Sequence, residues 1–157
     1  MERPTVLPRY LIADVDDTFT VGGHIHPAVL AAAAQASAAG IELILNTGRP
    51  AGYGAALLSY LPSVSAVIVE NGGAWLDRRG AQVPTSADHG ELPLQFAVPP
   101  PIDLRERLWA LRQQVARRMG LTLQPTADSA YRVTDHTAVR TLPAGPAGAA
   151  ILAAMSA

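Results

Sequence analysis

The sequence contains no cysteine and no lysine, and only 16% of its 157 residues are charged. The absence of cysteine excludes disulfide bonds, thiolate metal sites and a cysteine nucleophile. All 12 basic residues are arginine, so the sequence also excludes Schiff-base chemistry and any mechanism that needs a lysine ammonium group.

The charge balance and the hydropathy pattern argue against two further classes of partner. The formal net charge is -1 and the isoelectric point is about 6.4, which disfavours general affinity for nucleic acid or anionic membranes. No window reaches the roughly 18 uninterrupted apolar residues of a membrane span, and the amino terminus lacks the apolar stretch of a signal peptide. We therefore expect a cytoplasmic protein with no nucleic-acid and no membrane partner.

Short apolar runs alternate with helix-forming segments in the first half of the chain. The predicted elements are strands at 10–15, 41–46 and 66–69, helices at 27–39 and 50–60, and a β-hairpin of 74–76 with 81–83. Strand, helix, strand, helix and strand in this order predict parallel pairing with right-handed crossovers. The first half is therefore expected to form an open α/β sheet.

A proline-rich stretch separates two predicted regions of different character. It spans 84–101 and holds five of the 13 prolines, which is typical of a linker or a long crossing loop. The elements predicted after it are an amphipathic helix at 103–119, a strand at 131–134 and a short helix at 146–155. We therefore expect one domain at 1–83 and a second region at 84–157.

Each of the three predicted parallel strands ends in polar residues or is followed directly by them. The first leads into 14–18 (Asp-Val-Asp-Asp-Thr), the second into 46–49 (Asn-Thr-Gly-Arg) and the third into 70–73 (Glu-Asn-Gly-Gly). In open parallel sheets, ligands bind beyond the carboxyl ends of the strands. Three loops that meet at one edge indicate a binding site more strongly than any one of them.

The residue types at this edge favour phosphoryl chemistry. Asp14 and Asp16 can share a hard cation such as Mg²⁺, which prefers oxygen ligands. One carboxylate can then attack phosphorus while the other handles the proton of the leaving group. Thr47 offers a hydroxyl and Gly48 an unobstructed backbone N–H to phosphoryl oxygens. The alternative is that both aspartates only form a turn at the strand end.

These three motifs resemble those of the haloacid dehalogenase (HAD) superfamily, in the branch with an α/β cap that includes Cof-like and sucrose-phosphate phosphatases. The resemblance covers about residues 9–83. It implies that Asp14 is the nucleophile that forms an aspartyl phosphate, and that Asp16 is the general acid and base whose backbone carbonyl also binds Mg²⁺. It implies that Thr47 and Gly48 bind phosphate. The implied fold is a three-layer, Rossmann-like α/β core with a partial parallel sheet and a β-hairpin, followed by a partial α+β cap.

The sequence departs from the family pattern after this region. The family has a third motif with a lysine and a fourth motif with acidic Mg²⁺ ligands, and neither is present here. The expectation is a chain truncated before these motifs. In the family fold a strand from the later part lies beside the first strand, so we expect 10–15 to form an exposed sheet edge with unpaired backbone groups. Such an edge could pair with a second copy to form a homo-oligomer.

Several residues near the motifs have two interpretations. Arg49 could bind phosphate or substrate, or form an ion pair with a nearby acid. Asn71 could position the loops of the site, or only form a turn. His24 and His26 have the spacing of a metal site, but without further nitrogen or sulfur ligands nearby they are expected to be loop histidines.

The predicted function is Mg²⁺-dependent hydrolysis of a small phosphomonoester such as a sugar phosphate. Two alternatives stay open. One is a catalytically incomplete member that binds phosphate or a partner without turnover. The other is a sugar-phosphate mutase, which would need an acid from the second region, for which Asp128, Asp135 and His136 are the candidates.

Overall fold

The computed structural model describes residues 8–78 and 94–141. Contacts between Cα atoms divide the chain into two compact units, 1–99 and 100–157. The predicted boundary between 83 and 84 lies outside the described residues, as does the segment 81–83 of the predicted hairpin. Among the described helices, none combines the length and the hydropathy that crossing a membrane requires.

The first unit is an α/β sheet, as the sequence predicts. Its elements are β1 (Tyr10–Asp14), α1 (Pro27–Ala38), β2 (Glu42–Asn46), α2 (Ala51–Tyr60), β3 (Val64–Val69) and β4 (Ala74–Asp77). The strand order is β1-β2-β3-β4; the first three strands are parallel, and β4 runs antiparallel to β3. Gln95 pairs with Trp75 of β4 through two backbone hydrogen bonds of 2.9 and 3.0 Å.

The core of this unit lies between the sheet and its helices. Leu45 and Val67 are opposite each other in the parallel register, Val67 is opposite Leu76 of β4, and all three side chains are buried. Helix α2 packs closely on this surface because Gly54 has no side chain. A methyl group there would collide with Val69 Cγ1 and lie 3.2 Å from Leu76 Cδ1. The glycine therefore sets how closely the helix approaches the sheet.

The register of the sheet aligns the ends of the strands. Asp14, the last residue of β1, is opposite Asn46 of β2, and Asn46 is opposite Ile68 of β3. The polar residues that follow these strands therefore start at the same edge of the sheet, where parallel α/β folds bind ligands.

Strand β1 lies at the edge of the sheet, also as predicted. In the described part of the chain its only partner is β2. Tyr10, Leu11 and Ile12 are 43%, 46% and 61% exposed, which is unusual for a strand of this apolar character.

The second unit contains α3 (Leu104–Met119) and an antiparallel pair of strands, β5 (Thr122–Pro125) and β6 (Ala138–Thr141). The predicted strand at 131–134 is wrong, because this stretch belongs to the loop between β5 and β6. Arg132 is buried in that loop, where it donates to Asp128 at 2.8 Å and to Asp135 at 3.3 Å. These ion pairs hold the loop in an irregular path. The predicted helix at 146–155 lies outside the described residues.

Candidate active site

The loop after β1 is held by Thr20, a residue that sequence analysis did not single out. Its backbone N–H and its hydroxyl both donate to the carbonyl of Val15, at 2.9 and 3.0 Å. The Thr20 hydroxyl oxygen also accepts the N–H of Asp17 at 3.3 Å. Asp17 has a φ of 60°, so the chain turns sharply there while Asp14 and Asp16 stay exposed to solvent. The turn therefore presents both carboxylates at the edge of the sheet.

Thr47 joins the end of β2 to β3. Its N–H donates to the carbonyl of Ile68 at 2.9 Å, and its hydroxyl oxygen accepts the N–H of Arg49 at 3.1 Å. The residue is only 2% exposed. Because the hydroxyl oxygen accepts the Arg49 N–H through one lone pair, the hydroxyl group can still donate its own proton to an acceptor such as a ligand oxygen.

The side chain of Asn71 closely approaches the Cα atom of Gly48. A Cβ atom at Gly48 would lie 2.9 Å from Asn71 Oδ1, which is shorter than an ordinary contact. Asn71 itself is exposed and has a φ of 57°, a left-handed conformation that asparagine tolerates. The structure therefore brings two of the predicted site residues, Gly48 and Asn71, into contact although they come from different loops.

Glu70 ties the loops after β2 and β3 to α2. Its carboxylate accepts the N–H of Ala51, the first residue of α2, at 3.3 Å, and its own N–H donates to the carbonyl of Arg49 at 3.0 Å. A negative charge at a helix N-terminus is favourable. Glu70 was not a predicted site residue; the available signal was a carboxylate placed directly after an apolar strand.

Arg49 forms a two-pronged ion pair with Asp16. Its Nε and one terminal nitrogen donate to the two carboxylate oxygens at 3.1 and 2.8 Å, and the guanidinium carbon lies 5.5 Å from the ring centre of Tyr53. The hydrogen bond from Arg49 holds the pKa of Asp16 below its ordinary value. Of the two interpretations of Arg49, the ion pair is present; contact with phosphate stays a prediction.

The chemistry of Asp14 and Asp16 is compatible with a magnesium ion that keeps part of its water shell, and binding of the ion stays a prediction. Within 8–78 and 94–141, no group of three or more histidine, aspartate or glutamate side chains could hold a metal ion. Mg²⁺ is often bound by only one or two carboxylates together with other oxygens and substrate phosphates. The exposed Asp14 carboxylate offers one such ligand, whereas both carboxylate oxygens of Asp16 accept from Arg49, which leaves the backbone carbonyl that the resemblance implies. His26 is engaged elsewhere, because its Nδ1 accepts the N–H of Ala28 at 3.2 Å and caps α1.

The described residues of the second unit include a compact polar cluster. His136 is 6% exposed, stacks on Trp109 at 4.6 Å between ring centres and lies 3.1 Å from the Ser129 hydroxyl. Burial, together with the positive charges of Arg112 and Arg105, lowers the pKa of His136. The other two candidate acids, Asp128 and Asp135, are both paired with Arg132 within this unit, as described above.

No protein-family model and no curated protein matches the sequence. Several solved structures do match the fold. Protein 0175 of Thermoplasma acidophilum has a TM-score of 0.61 at 18% identity, with 83% of this chain and 50% of that chain covered. BT1666 of Bacteroides thetaiotaomicron, a HAD phosphatase, has a TM-score of 0.50 at 18% identity, with 80% and 43% covered.

A third match is the HAD subclass IIB sugar phosphatase BT4131, with a TM-score of 0.50, 18% identity, and 77% and 42% of the two chains covered. The chain thus spans half or less of the length of each of these proteins. The resemblance that the three motifs predict is confirmed at the level of the fold: over the length that it spans, the chain has the fold of the HAD superfamily hydrolases.

Proposed function

We propose that this chain carries the nucleophile and the phosphate-binding loops of a Mg²⁺-dependent phosphomonoester hydrolase. The observation that supports the proposal most strongly is the meeting of three loops at one edge of the sheet. The register aligns Asp14 with Asn46 and Asn46 with Ile68, and the Thr47 and Glu70 backbones are cross-linked by hydrogen bonds to the neighbouring loops. Enzymes catalyse phosphoryl transfer mainly by positioning the reacting groups and by stabilising charge, which requires a preorganised set of donors and carboxylates.

In the proposed reaction, the Asp14 carboxylate attacks phosphorus and the ester oxygen leaves. Asp16, in its protonated form, gives a proton to that oxygen. It then takes a proton from the water that attacks the phosphorus of the aspartyl phosphate, which breaks the bond between the Asp14 oxygen and phosphorus, releases inorganic phosphate and restores the Asp14 carboxylate. The Thr47 hydroxyl and the Gly48 N–H hold the phosphoryl oxygens as charge develops on them. Asn71 and Glu70 keep the two loops in register.

Asp14 and Asp16 are the residues that would hold Mg²⁺. When bound, the ion would neutralise the charge of the phosphoryl group and of the attacking carboxylate. Asp14 has no ion-pair partner within the described residues, whereas Asp16 has Arg49.

The proposed substrates are small-metabolite phosphates such as sugar phosphates. The support is the likeness of fold to BT4131, which is a sugar phosphatase, and the predicted cap region at 84–157. Because the chain spans half or less of the matched proteins, the substrate belongs to the proposal and to the whole protein.

A second candidate function is binding of phosphate without turnover. Two observations favour it. Asp16, the proposed acid, is held as an ion pair by Arg49, and the sequence contains no lysine that could neutralise a phosphoryl group.

Mg²⁺-dependent phosphate release from an aryl phosphate tests the proposal. We expect the wild-type chain to release phosphate, and Asp14→Asn to lower kcat by about 1,000-fold or more, since the nucleophile is lost. Asp17→Asn is the matched control, because Asp17 is a neighbouring exposed carboxylate without an assigned role.

Equal rates in the wild-type chain and Asp14→Asn would contradict the assignment of the nucleophile. Binding of phosphate with no rate above that of Asp14→Asn would favour the second candidate.

We also propose that β1 pairs with β1 of a second copy. The supporting observation is the exposure of Ile12 and its neighbours on a strand that has β2 as its only described partner. An antiparallel pair of identical strands satisfies the backbone groups of both by two-fold symmetry.

A further inference from the structure

The guanidinium group of Arg49 lies between two functional loops. The backbone N–H of Arg49 donates to the Thr47 hydroxyl in the loop after β2, and the Arg49 side chain reaches Asp16 in the loop after β1. Arg49 is therefore two residues from the proposed phosphate-binding hydroxyl while it is bound to the proposed acid.

The ion pair is exposed enough to be exchanged. The side chains of Arg49 and Asp16 are 50% and 46% exposed, and exposed ion pairs contribute little to stability. A phosphate dianion offers the same two-pronged geometry with more charge, so it competes well for a guanidinium group. The ring of Tyr53 supports the guanidinium group without depending on Asp16.

We propose that Arg49 is a latch shared by two anions: it holds Asp16 when the site is empty, and it turns to a phosphate dianion that binds at Thr47 and Gly48, which frees the Asp16 carboxylate. This inference rests on the proposed phosphate site and adds an order to the reaction, in which phosphate binds before Asp16 is released. Asp16 becomes available only in a site that already holds phosphate.

Competition for Arg49 has a consequence that simple charge repulsion does not have. Removing Asp16 should strengthen phosphate binding, because Arg49 is then released in advance. The gain should require Arg49. A general loss of negative charge near the site would instead strengthen binding whether or not Arg49 is present.

The experiment measures the binding of inorganic phosphate by calorimetry, in EDTA and without metal, at constant ionic strength. The variants are Asp16→Asn, Arg49→Gln, the double variant and Asp17→Asn. Asp17 is the matched control, since its carboxylate is one residue from Asp16 and has no ion pair with Arg49 in the described structure. Thermal melting of each variant confirms that it is folded.

We expect Arg49→Gln to weaken phosphate binding about tenfold or more, since a charge-assisted hydrogen bond is lost. We expect Asp16→Asn to tighten binding about two- to fivefold relative to Asp17→Asn, which corresponds to the strength of an exposed ion pair. In the Arg49→Gln background this gain should vanish. In the wild-type chain, the Arg49 Nε–H signal in NMR spectra should shift as phosphate is added.

Three other outcomes separate the latch from the proposed function. If phosphate binds but the Asp16→Asn gain is the same with and without Arg49, the latch is overturned and the phosphate site stands. If no variant binds phosphate, the latch is overturned, and phosphate release in the presence of Mg²⁺ decides the hydrolase separately. If the gain from Asp16→Asn requires Arg49 but hydrolysis does not depend on Asp14, the latch is supported and the proposed hydrolase is not.

Discussion

Glu70 and Asp14 lie at the same edge of the sheet but in opposite surroundings. Glu70 is 2% exposed and accepts an N–H from the first turn of α2, whereas Asp14 is exposed and has no described ion-pair partner. The buried Glu70 carboxylate therefore holds the loops together, whereas the exposed Asp14 carboxylate is able to reach a ligand. Burial thus separates a structural carboxylate, Glu70, from the exposed Asp14 that we propose to be reactive.

Asp128 makes the stability of the second unit depend on pH. The Thr126 hydroxyl and Arg132 lower the pKa of Asp128 from 3.8 to about 2. Between these values the unfolded chain binds more protons than the folded one, so stability is complete above pH 4 and falls as the pH falls towards 2. We expect Asp128→Asn to be less stable at pH 5 and to lose less stability between pH 4 and 2.

Urea unfolding followed by the Trp109 indole signal in NMR spectra, at pH 5, 4, 3 and 2, checks this dependence. Asp103→Asn is the control, because Asp103 is exposed and lies 4.0 Å from its arginine partner. An unchanged pH dependence in Asp128→Asn would show that other groups cause the acid sensitivity.

At the scale of elements, two glycines of α2 make a matched pair. Gly54 faces Val69 and Leu76 without room for a methyl group, while Gly52 is exposed and has nothing within 4 Å. We expect Gly54→Ala to lower the free energy of unfolding by about 1–3 kcal/mol through overpacking. We expect Gly52→Ala to raise it by about 0.5–1 kcal/mol, since alanine favours a helix. Chemical unfolding measures both, and a stabilised Gly54→Ala would contradict the described packing.

The elements of the first unit were predictable because their apolar residues are contiguous. The observed β1, β2 and α2 differ from the predicted ranges by one residue at one end. In the second unit, β5 and β6 are four residues each, and their pattern does not distinguish a strand from a loop. The stretch around Arg132 resembles a strand in sequence, but its conformation depends on ion pairs with Asp128 and Asp135, which local propensity does not contain.

At the scale of the whole molecule, the exposed edge of β1 predicts self-association. We expect the wild-type sedimentation coefficient to rise with concentration and that of Ile12→Lys to stay at the monomer value, because a lysine on an edge strand opposes pairing. Val21→Lys is the matched control, since Val21 is 70% exposed but lies outside the strands. A wild-type chain that stays monomeric at every concentration would refute pairing through β1.

The general location of the candidate site was predictable, but its internal contacts were not. Parallel strands bring their carboxyl ends to one edge, so the motifs alone predict that Asp14, Thr47 and Asn71 lie near each other. The ion pair between Asp16 and Arg49 joins residues 33 positions apart, and nothing local distinguishes it from contact with a ligand. The contact of Gly48 with Asn71 likewise follows from the placement of whole loops.

The left-handed backbone at Asp17, Glu70 and Asn71 has a consequence for how this protein could be improved. Their φ angles are 60°, 52° and 57°; aspartate and asparagine tolerate this conformation, whereas for the glutamate it costs about 1–2 kcal/mol. Glycine would remove that cost, but at position 70 it would also remove the carboxylate that accepts the N–H of Ala51. Glycine at these positions would also loosen the loops that carry Asp14, Asp16 and the proposed phosphate-binding groups, so relief of the backbone strain would make the proposed site less ordered.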